Sequence, residues 1–169
     1  MKLLFALMMG LPMVGSMNTL TVKTDAVKIS FLADMQKTEG TIGGFEAKIK
    51  FDEKDLMNSS IEGSVDVNTI STGIEKRDEH LKSADYFEAA KYPKMTFKSS
   101  SIQQKGSTYT MNGMMKIKDV ERAELITFSY VDKMFKAETI IQAANYQFGY
   151  EKKKPEKTNI KISFVIPVE

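Results

Sequence analysis

The chain's single histidine, His80, stands inside a dense run of charge, "EKRDEHLKSADYF", Glu75 to Phe87. Glu75, Arg77, Asp78, Glu79 and Asp85 all lie close to it in the chain. A histidine ringed by carboxylates could be half of a general acid–base pair or one ligand of a metal ion. The spacing argues against both. Side chains on a helix meet at separations of three or four, so Asp78 and His80 do not face each other; Glu75 meets Glu79, and Arg77 meets Leu81. Helical metal sites present paired ligands at i,i+4, and here one histidine sits among scattered acids. The run reads better as the solvated face of a short helix. Arg77 and Asp78 would fix it by charge-assisted hydrogen bonds, and Leu81, Tyr86 and Phe87 would pack it down. Neither a catalytic residue nor a metal ligand is expected from this stretch.

A second candidate chemistry lies in "MNGMM", where Met111, Met114 and Met115 could offer thioethers to copper(I). On a strand, Met111 and Met115 share a face and Met114 points away, so core filling by flexible methionine accounts for two of the three.

The elements that must position these residues are strands. "FEAKIKF" puts Phe45, Ala47, Ile49 and Phe51 on one face and Glu46, Lys48 and Lys50 on the other. The same period-2 pattern runs through "YTMNGMMKI", "ITFSY", "FKAETII" and "NIKISFVIPV". Alternation repeated over so many segments means a sheet with one dry face and one wet face. Turn signals separate the segments at Asp52–Asp55, Lys105-Gly106-Ser107 and around Pro155. The framework is therefore expected to be all-β and antiparallel, closed as a barrel or sandwich. Only Ser71 to Lys94 lacks alternation. Ser71 or Thr72 would cap a short helix there, with Ile74, Leu81 and Ala84 as its apolar stripe, and Tyr92-Pro93 would lead into the next strand. A helical insertion between barrel strands usually covers an opening or an edge.

The bulk numbers narrow the partner. The chain has 169 residues, with 24 Lys+Arg against 22 Asp+Glu, a formal net charge of +2. Such balance gives no support for nucleic-acid binding. There is no cysteine, which excludes disulfides, thiolate metal sites and cysteine nucleophiles. The opening "MKLLFALMMGLPMVGS" pairs Lys2 with an apolar run and ends in small residues. It reads as a signal peptide over residues 1–16, cleaved near Ser16, with the barrel domain over 17–169 and a periplasmic or secreted location.

At this point the residues resemble a known family. The run Val65 to Ser99 is similar to the central signature of the YceI family, "TG..KRD.HL.S.DFF....YP..TF". It is met here by Thr72, Gly73, Lys76, Arg77, Asp78, His80, Leu81, Ser83, Asp85, Phe87, Tyr92, Pro93, Thr96 and Phe97. A weaker likeness extends over about residues 20 to 168. Elsewhere the chain departs from the pattern: Asp119 replaces a glycine, Ala123 a proline, Asn145 an arginine and Gln147 an aspartate, and no histidine stands near Met35.

The resemblance implies a secreted, lipocalin-like, eight-stranded antiparallel barrel whose elongated apolar interior binds a polyisoprenoid lipid or isoprenoid quinone without catalysis. On that reading the candidate lining residues are Phe31, Phe45, Ile49, Phe51, Val65, Val67, Phe87, Met95, Phe97, Met111, Met115 and Phe128. No cofactor beyond a bound isoprenoid lipid is expected, and transient membrane contact and a homodimer are compatible with it. The competing readings are an accessory or stress protein acting on a membrane partner through the barrel surface, and an enzyme with a charged site in its lid.

Overall fold

Eight strands close on themselves in simple up-and-down order. The computed structural model describes residues 19–150 and 152–169; the proposed signal peptide lies outside the described residues. After a two-residue strand β1 (Thr19–Leu20) come β2 (Lys28–Ala33), β3 (Thr38–Lys50) and β4 (Ser60–Ser71). A helix α1 (Glu75–Lys82) precedes β5 (Lys94–Lys105), β6 (Thr108–Ile117), β7 (Val120–Val131), β8 (Met134–Gln142) and β9 (Asn159–Pro167). Each strand from β2 to β9 pairs antiparallel with the next, and β9 returns to β2, so the ladder is continuous around the barrel. The insertion therefore occupies the β4–β5 connection.

Alternation becomes burial as the sequence pattern requires. Tyr109, Met111, Gly113, Met115 and Ile117 of β6 are buried while the residues between them face out, Met114 with 40% of its surface exposed. Phe135, Ala137, Thr139 and Ile141 do the same on β8. Thr139, a polar residue on an inward face, is satisfied by donating its hydroxyl to the Leu125 carbonyl at 3.1 Å. Register shifts around Gly43 in β3 and between Ser99 and Ser101 in β5 are bulges, the usual means of bending a sheet into a barrel.

The two ends of the barrel differ. At one end Phe51, Tyr109, Phe128, Tyr130 and Phe135 form a contiguous aromatic cluster with ring centroids 4.5–5.8 Å apart. The segment from β1 to Lys23 straps this end. β1 pairs with the end of β3, Val22 bridges to Val168, and the Lys23 N–H donates to the Pro167 carbonyl at 3.0 Å. The other end carries α1 and the turns around residues 34–37 and 143–158, and it opens into a cavity.

Helix α1 departs from the expected start. Ser71 ends β4, Ile74 occupies the N-cap position without a side-chain cap, and Ile74 is 53% exposed rather than part of a buried stripe. No residue of α1 is buried. The helix is held by polar contacts from its first turn and by the segment that follows it.

Candidate functional site

The cavity is a tube of about 360 Å³, within the range of small-molecule pockets. Its wall is built from the inward faces of the strands. Ile160, Ile162, Phe164 and Ile166 run along β9, and Met111, Met115 and Ile117 along β6. Around its inner end Met111, Ile126, Ala137, Ile61 and Ile166 form a floor. The aromatic cluster adjoins this floor: Phe128 pairs across the ladder with Ala137 and Phe135 with Ile166, and none of the cluster's rings lines the cavity.

The wall is kept open by glycines under rings. Phe31 is paired directly with Gly40, where an added Cβ would lie 2.4 Å from its Cζ. Phe97 lies against Gly113 in the same way, again at 2.4 Å. A Cβ on Gly63 would come within 3.3 Å of Phe45. Each ring lies down on a neighbouring strand where a side chain is missing, so bulky aromatics line the tube without blocking it.

Polar lining is concentrated at the mouth. Gln36 comes from the β2–β3 turn, Thr38 from the start of β3, Arg77, His80 and Tyr86 from the insertion, and Tyr150 from the segment after β8. Gln36 donates its side-chain N–H to the Tyr150 hydroxyl. Burial pushes the Tyr150 hydroxyl up from its ordinary pKa, partly offset by the Gln36 bond. His80 stacks edge-on to Tyr86 at 4.9 Å and stands 3.7 Å from Asp85, with the side chains of His80 and Asp85 largely in solvent. Among the described residues no three His, Asp or Glu side chains are grouped to hold a metal ion.

Thr72 is the hub of the insertion. Its hydroxyl accepts from Arg77 Nε at 2.8 Å and donates to the Asp78 carboxylate, while its N–H donates to Asp78 Oδ1 at 2.8 Å and its carbonyl accepts from Arg77 Nη2 at 3.0 Å. Arg77 and Asp78 thus fasten α1 to the end of β4, as the spacing suggested, but through one threonine. Beyond α1, Phe87 lies tilted against Phe148 at 4.6 Å, and Tyr86 covers Gly149 closely enough that a Cβ there would fall 2.7 Å from its ring. Tyr146, fully buried, donates to Glu124 at 2.7 Å and anchors this segment to β7; burial pushes its hydroxyl far above the ordinary range, so it stays a donor.

The Thr72 hub gives a testable pH dependence. The hydroxyl bond from Thr72, joined by its N–H and by the charges of Lys82 and Arg77, holds the Asp78 carboxyl below its ordinary 3.8. A depressed carboxylate contributes stability that is present above the unfolded-state value and is lost as pH falls through the folded one. Hydrogen exchange is therefore expected to show residues 72–87 loosening in acid below about pH 3.8 before the barrel ladders do. Thr72→Val should speed exchange there about tenfold at neutral pH, and Thr72→Ser should not. Equal protection in wild type and Thr72→Val would mean the hub holds nothing.

Eight of the twelve residues proposed from sequence lie on the cavity wall: Phe31, Phe45, Val65, Phe87, Met95, Phe97, Met111 and Met115. Four do not. Phe51 and Phe128 belong to the aromatic cluster under the floor, and Ile49 is completely buried in the same core. Val67 packs with Ile70 and Ala89 beneath the insertion, and Ile70 takes the place on the wall instead. Sequence reasoning left out the wall residues of β9, although the alternation of "NIKISFVIPV" already marked them, and it left out Tyr150 and Phe148, which no periodicity signals.

Comparison with known proteins places this geometry. A profile of the YceI-like domain matches residues 20–168. Protein YceI of Salmonella arizonae is 30% identical over 83 residues, 49% of this chain and 44% of that protein, and protein YceI of Salmonella newport matches equally. The aligned stretch thus spans less than half the length of these curated relatives. Among solved structures, BcnA of Burkholderia cenocepacia superposes with a TM-score of 0.79 at 23% identity, over 86% of this chain and 98% of that one. The YCEI protein of Campylobacter jejuni gives 0.67 at 21%, over 78% and 85%. A polyisoprenoid-binding domain from Saccharophagus degradans, implicated in plant cell wall breakdown, gives 0.63 at 14%, over 87% and 95%. At these identities the structural likeness establishes the barrel fold.

Proposed function

The chain belongs to the YceI family, and from that membership we propose that its barrel is a non-enzymatic carrier of a polyisoprenoid or isoprenoid-quinone lipid in the periplasm. The observation that carries the reading is the distribution of polarity along one blind tube. Apolar side chains make most of the wall and the whole floor, and the polar ones gather at the mouth apart from Ser64 and Thr96, paired across β4 and β5. A hydrocarbon chain gains roughly 0.8 kcal/mol per CH₂ moved from water into such a wall, so the tube can bind a lipid tail tightly without any polar contact inside. The mouth residues Gln36, Arg77, Tyr86 and Tyr150 then meet whatever polar end the lipid carries. The polyisoprenoid-binding domain of Saccharophagus degradans shares the architecture, which supports the ligand class. The apolar run after Lys2 supports export.

The test is extraction. Protein expressed with its natural leader should be recovered from the periplasm, extracted with organic solvent and examined by mass spectrometry. One isoprenoid lipid per chain is the expected result. Protein that yields no lipid, and that takes up neither quinone nor polyprenyl lipid when offered, would remove the carrier reading.

A further inference from the structure

β7 and β8 separate halfway along. β7 runs Val120–Val131, but its ladder with β8 covers only Thr127–Val131, while β8 keeps its ladder with β9 as far as Gln142. Val120 to Ile126 is thus a run of seven residues paired with β6 on one side and, among the described residues, with no strand on the other. We propose that a second copy of the chain adds to this free edge, the two runs pairing antiparallel about a two-fold axis at Ala123. The main chain is set for it. Lys118 and Asp119 make a two-residue turn, so Val120 shares its N–H and C=O with Ile117 of β6; by alternation Arg122 and Glu124 also bond to β6. Glu121, Ala123 and Leu125 therefore aim their main-chain groups away from β6. The Leu125 carbonyl shows the same direction, since it accepts from the Thr139 hydroxyl of β8 at 3.1 Å. On this side Glu121 and Ala123 pair with no described residue, and both are exposed.

The run reads "VERAELI", and it is complementary to itself. A two-fold dimer puts the same patch on both copies, so the axis must fall on one residue of the run. With Ala123 on the axis the whole free run is used: Ala123 faces its own copy, Glu121 faces Leu125 and Arg122 faces Glu124. The Ala123 pair and the two Glu121–Leu125 pairs can exchange main-chain bonds. The two Arg122–Glu124 pairs fall between them, where opposing side chains stand closest, so opposite charges meet. Arg122 forms no ion pair or hydrogen bond among the described residues, and Glu124 commits Oε1 to the Tyr146 hydroxyl. Other registers fail. Moving the axis by one residue sets Arg122 against Arg122 or Glu124 against Glu124. Moving it by two sets Glu121 against Glu121, or carries the pairing into residues that β8 already holds. Apolar side chains flank the seam on its outer face: Leu125, Met114 beside Ala123, and Ile140 on β8 are all exposed. So short a seam falls well below the roughly 20–30 residues a side of a standard interface, which makes the dimer reversible, with a Kd on the order of tens of micromolar.

The chain has no cysteine, so a single introduced one reports only its own neighbour. Across the axis two Ala123 Cα atoms would stand about 5.5 Å apart, within disulfide range, whereas two Glu121 Cα atoms would be offset by roughly 13 Å along the strands, outside it. Under mild oxidation of the full chain, Ala123→Cys should form a disulfide-linked dimer at least about tenfold faster than Glu121→Cys. An equal mixture of Glu121→Cys and Leu125→Cys should cross-link as readily as Ala123→Cys. Sedimentation of the wild type from micromolar to near-millimolar concentration should show a reversible dimer. Ala123→Pro should weaken it about tenfold or more, because proline offers no N–H at the axis and leaves the bonds to β6 untouched. Arg122→Glu should weaken it as well, by setting a glutamate against Glu124. The cysteine series decides the matter should Ala123→Pro fold poorly. A dimer indifferent to both folded variants, or Glu121→Cys cross-linking as fast as Ala123→Cys, overturns the proposal. A wild type that stays monomeric throughout overturns it too, and leaves the edge to a strand of some other chain.

Discussion

Truncating Phe128 to alanine is expected to cost about 3–5 kcal/mol of stability, the largest effect of any single substitution in the barrel. Phe128 is stacked on Tyr109 at 5.2 Å and 21°, meets Phe51 edge-on at 5.6 Å, and lies 5.8 Å from Phe135. Removing it takes away the transfer free energy of a whole ring and leaves a hole bounded by three other rings that cannot collapse together, because Tyr109 is fixed to β6, Phe135 to β8 and Phe51 to the residue just after β3. Denaturant melts should show a lower midpoint at an unchanged slope. Phe31→Ala, by contrast, should cost less, because the Phe31 ring borders the tube and is only partly buried. A Phe128→Ala protein no less stable than Phe31→Ala would mean that the closed end is not the core of this fold.

Filling the tube from its wall is expected to weaken lipid binding about a hundredfold while leaving the barrel folded. Gly63→Leu is the substitution that fits. Gly63 lies on the cavity wall, its backbone is not among the positive-φ positions, and the nearest atom to a new Cβ is the Phe45 ring at 3.3 Å, which needs to give only a few tenths of an ångström. The leucine side chain occupies the room of nearly one isoprene unit. Excluding three to four carbons at roughly 0.8 kcal/mol each gives about 3 kcal/mol, or two decades in affinity. Gly113 and Gly40 are poorer choices, because there the new Cβ would also strike backbone carbonyls, Lys98 O at 2.4 Å and Ser71 O at 2.7 Å. Titration of a fluorescent isoprenoid into wild type and Gly63→Leu measures the difference. Equal affinity in a folded variant would place the ligand somewhere other than this tube.

What the sequence disclosed follows from the reach of its periodicities. Alternation is a local signal, and it correctly assigned inward faces to Phe45, Met111, Met115 and Phe135. Loss of alternation bounded the insertion at Ser71 and Lys94, where β4 ends and β5 begins. Axial position is not local. Phe45 and Phe51 share a face of one chain segment, yet one lines the tube and the other lies in the aromatic cluster, because depth in a barrel is fixed by register around all eight strands. Parity also fails where the ladder slips. Val67 should have followed Val65 onto the wall, but β4 changes phase before Ile70, so Ile70 faces the tube. The Thr72 hub was half legible. Arg77 and Asp78 announced a clamp, but the residue they clamp is fixed by the geometry with which β4 hands over to α1.

The uninterrupted ring of pairings from β2 to β9 and back to β2 bears on how this protein meets other chains. A sheet edge is a template: its unpaired main-chain groups can recruit a strand from another molecule, which is how sheets swap domains and seed fibrils. Here every barrel strand has a neighbour on both sides, although the β7–β8 ladder covers only Thr127–Val131 of β7. Most of the main-chain template is therefore already used within the barrel, which disfavours sheet extension as a route to self-association anywhere but along the free run of β7. Closure also makes unfolding concerted, because no strand can peel away without breaking two ladders at once. Partial unravelling, the usual entry into aggregation, is thereby suppressed wherever a strand is laddered on both sides.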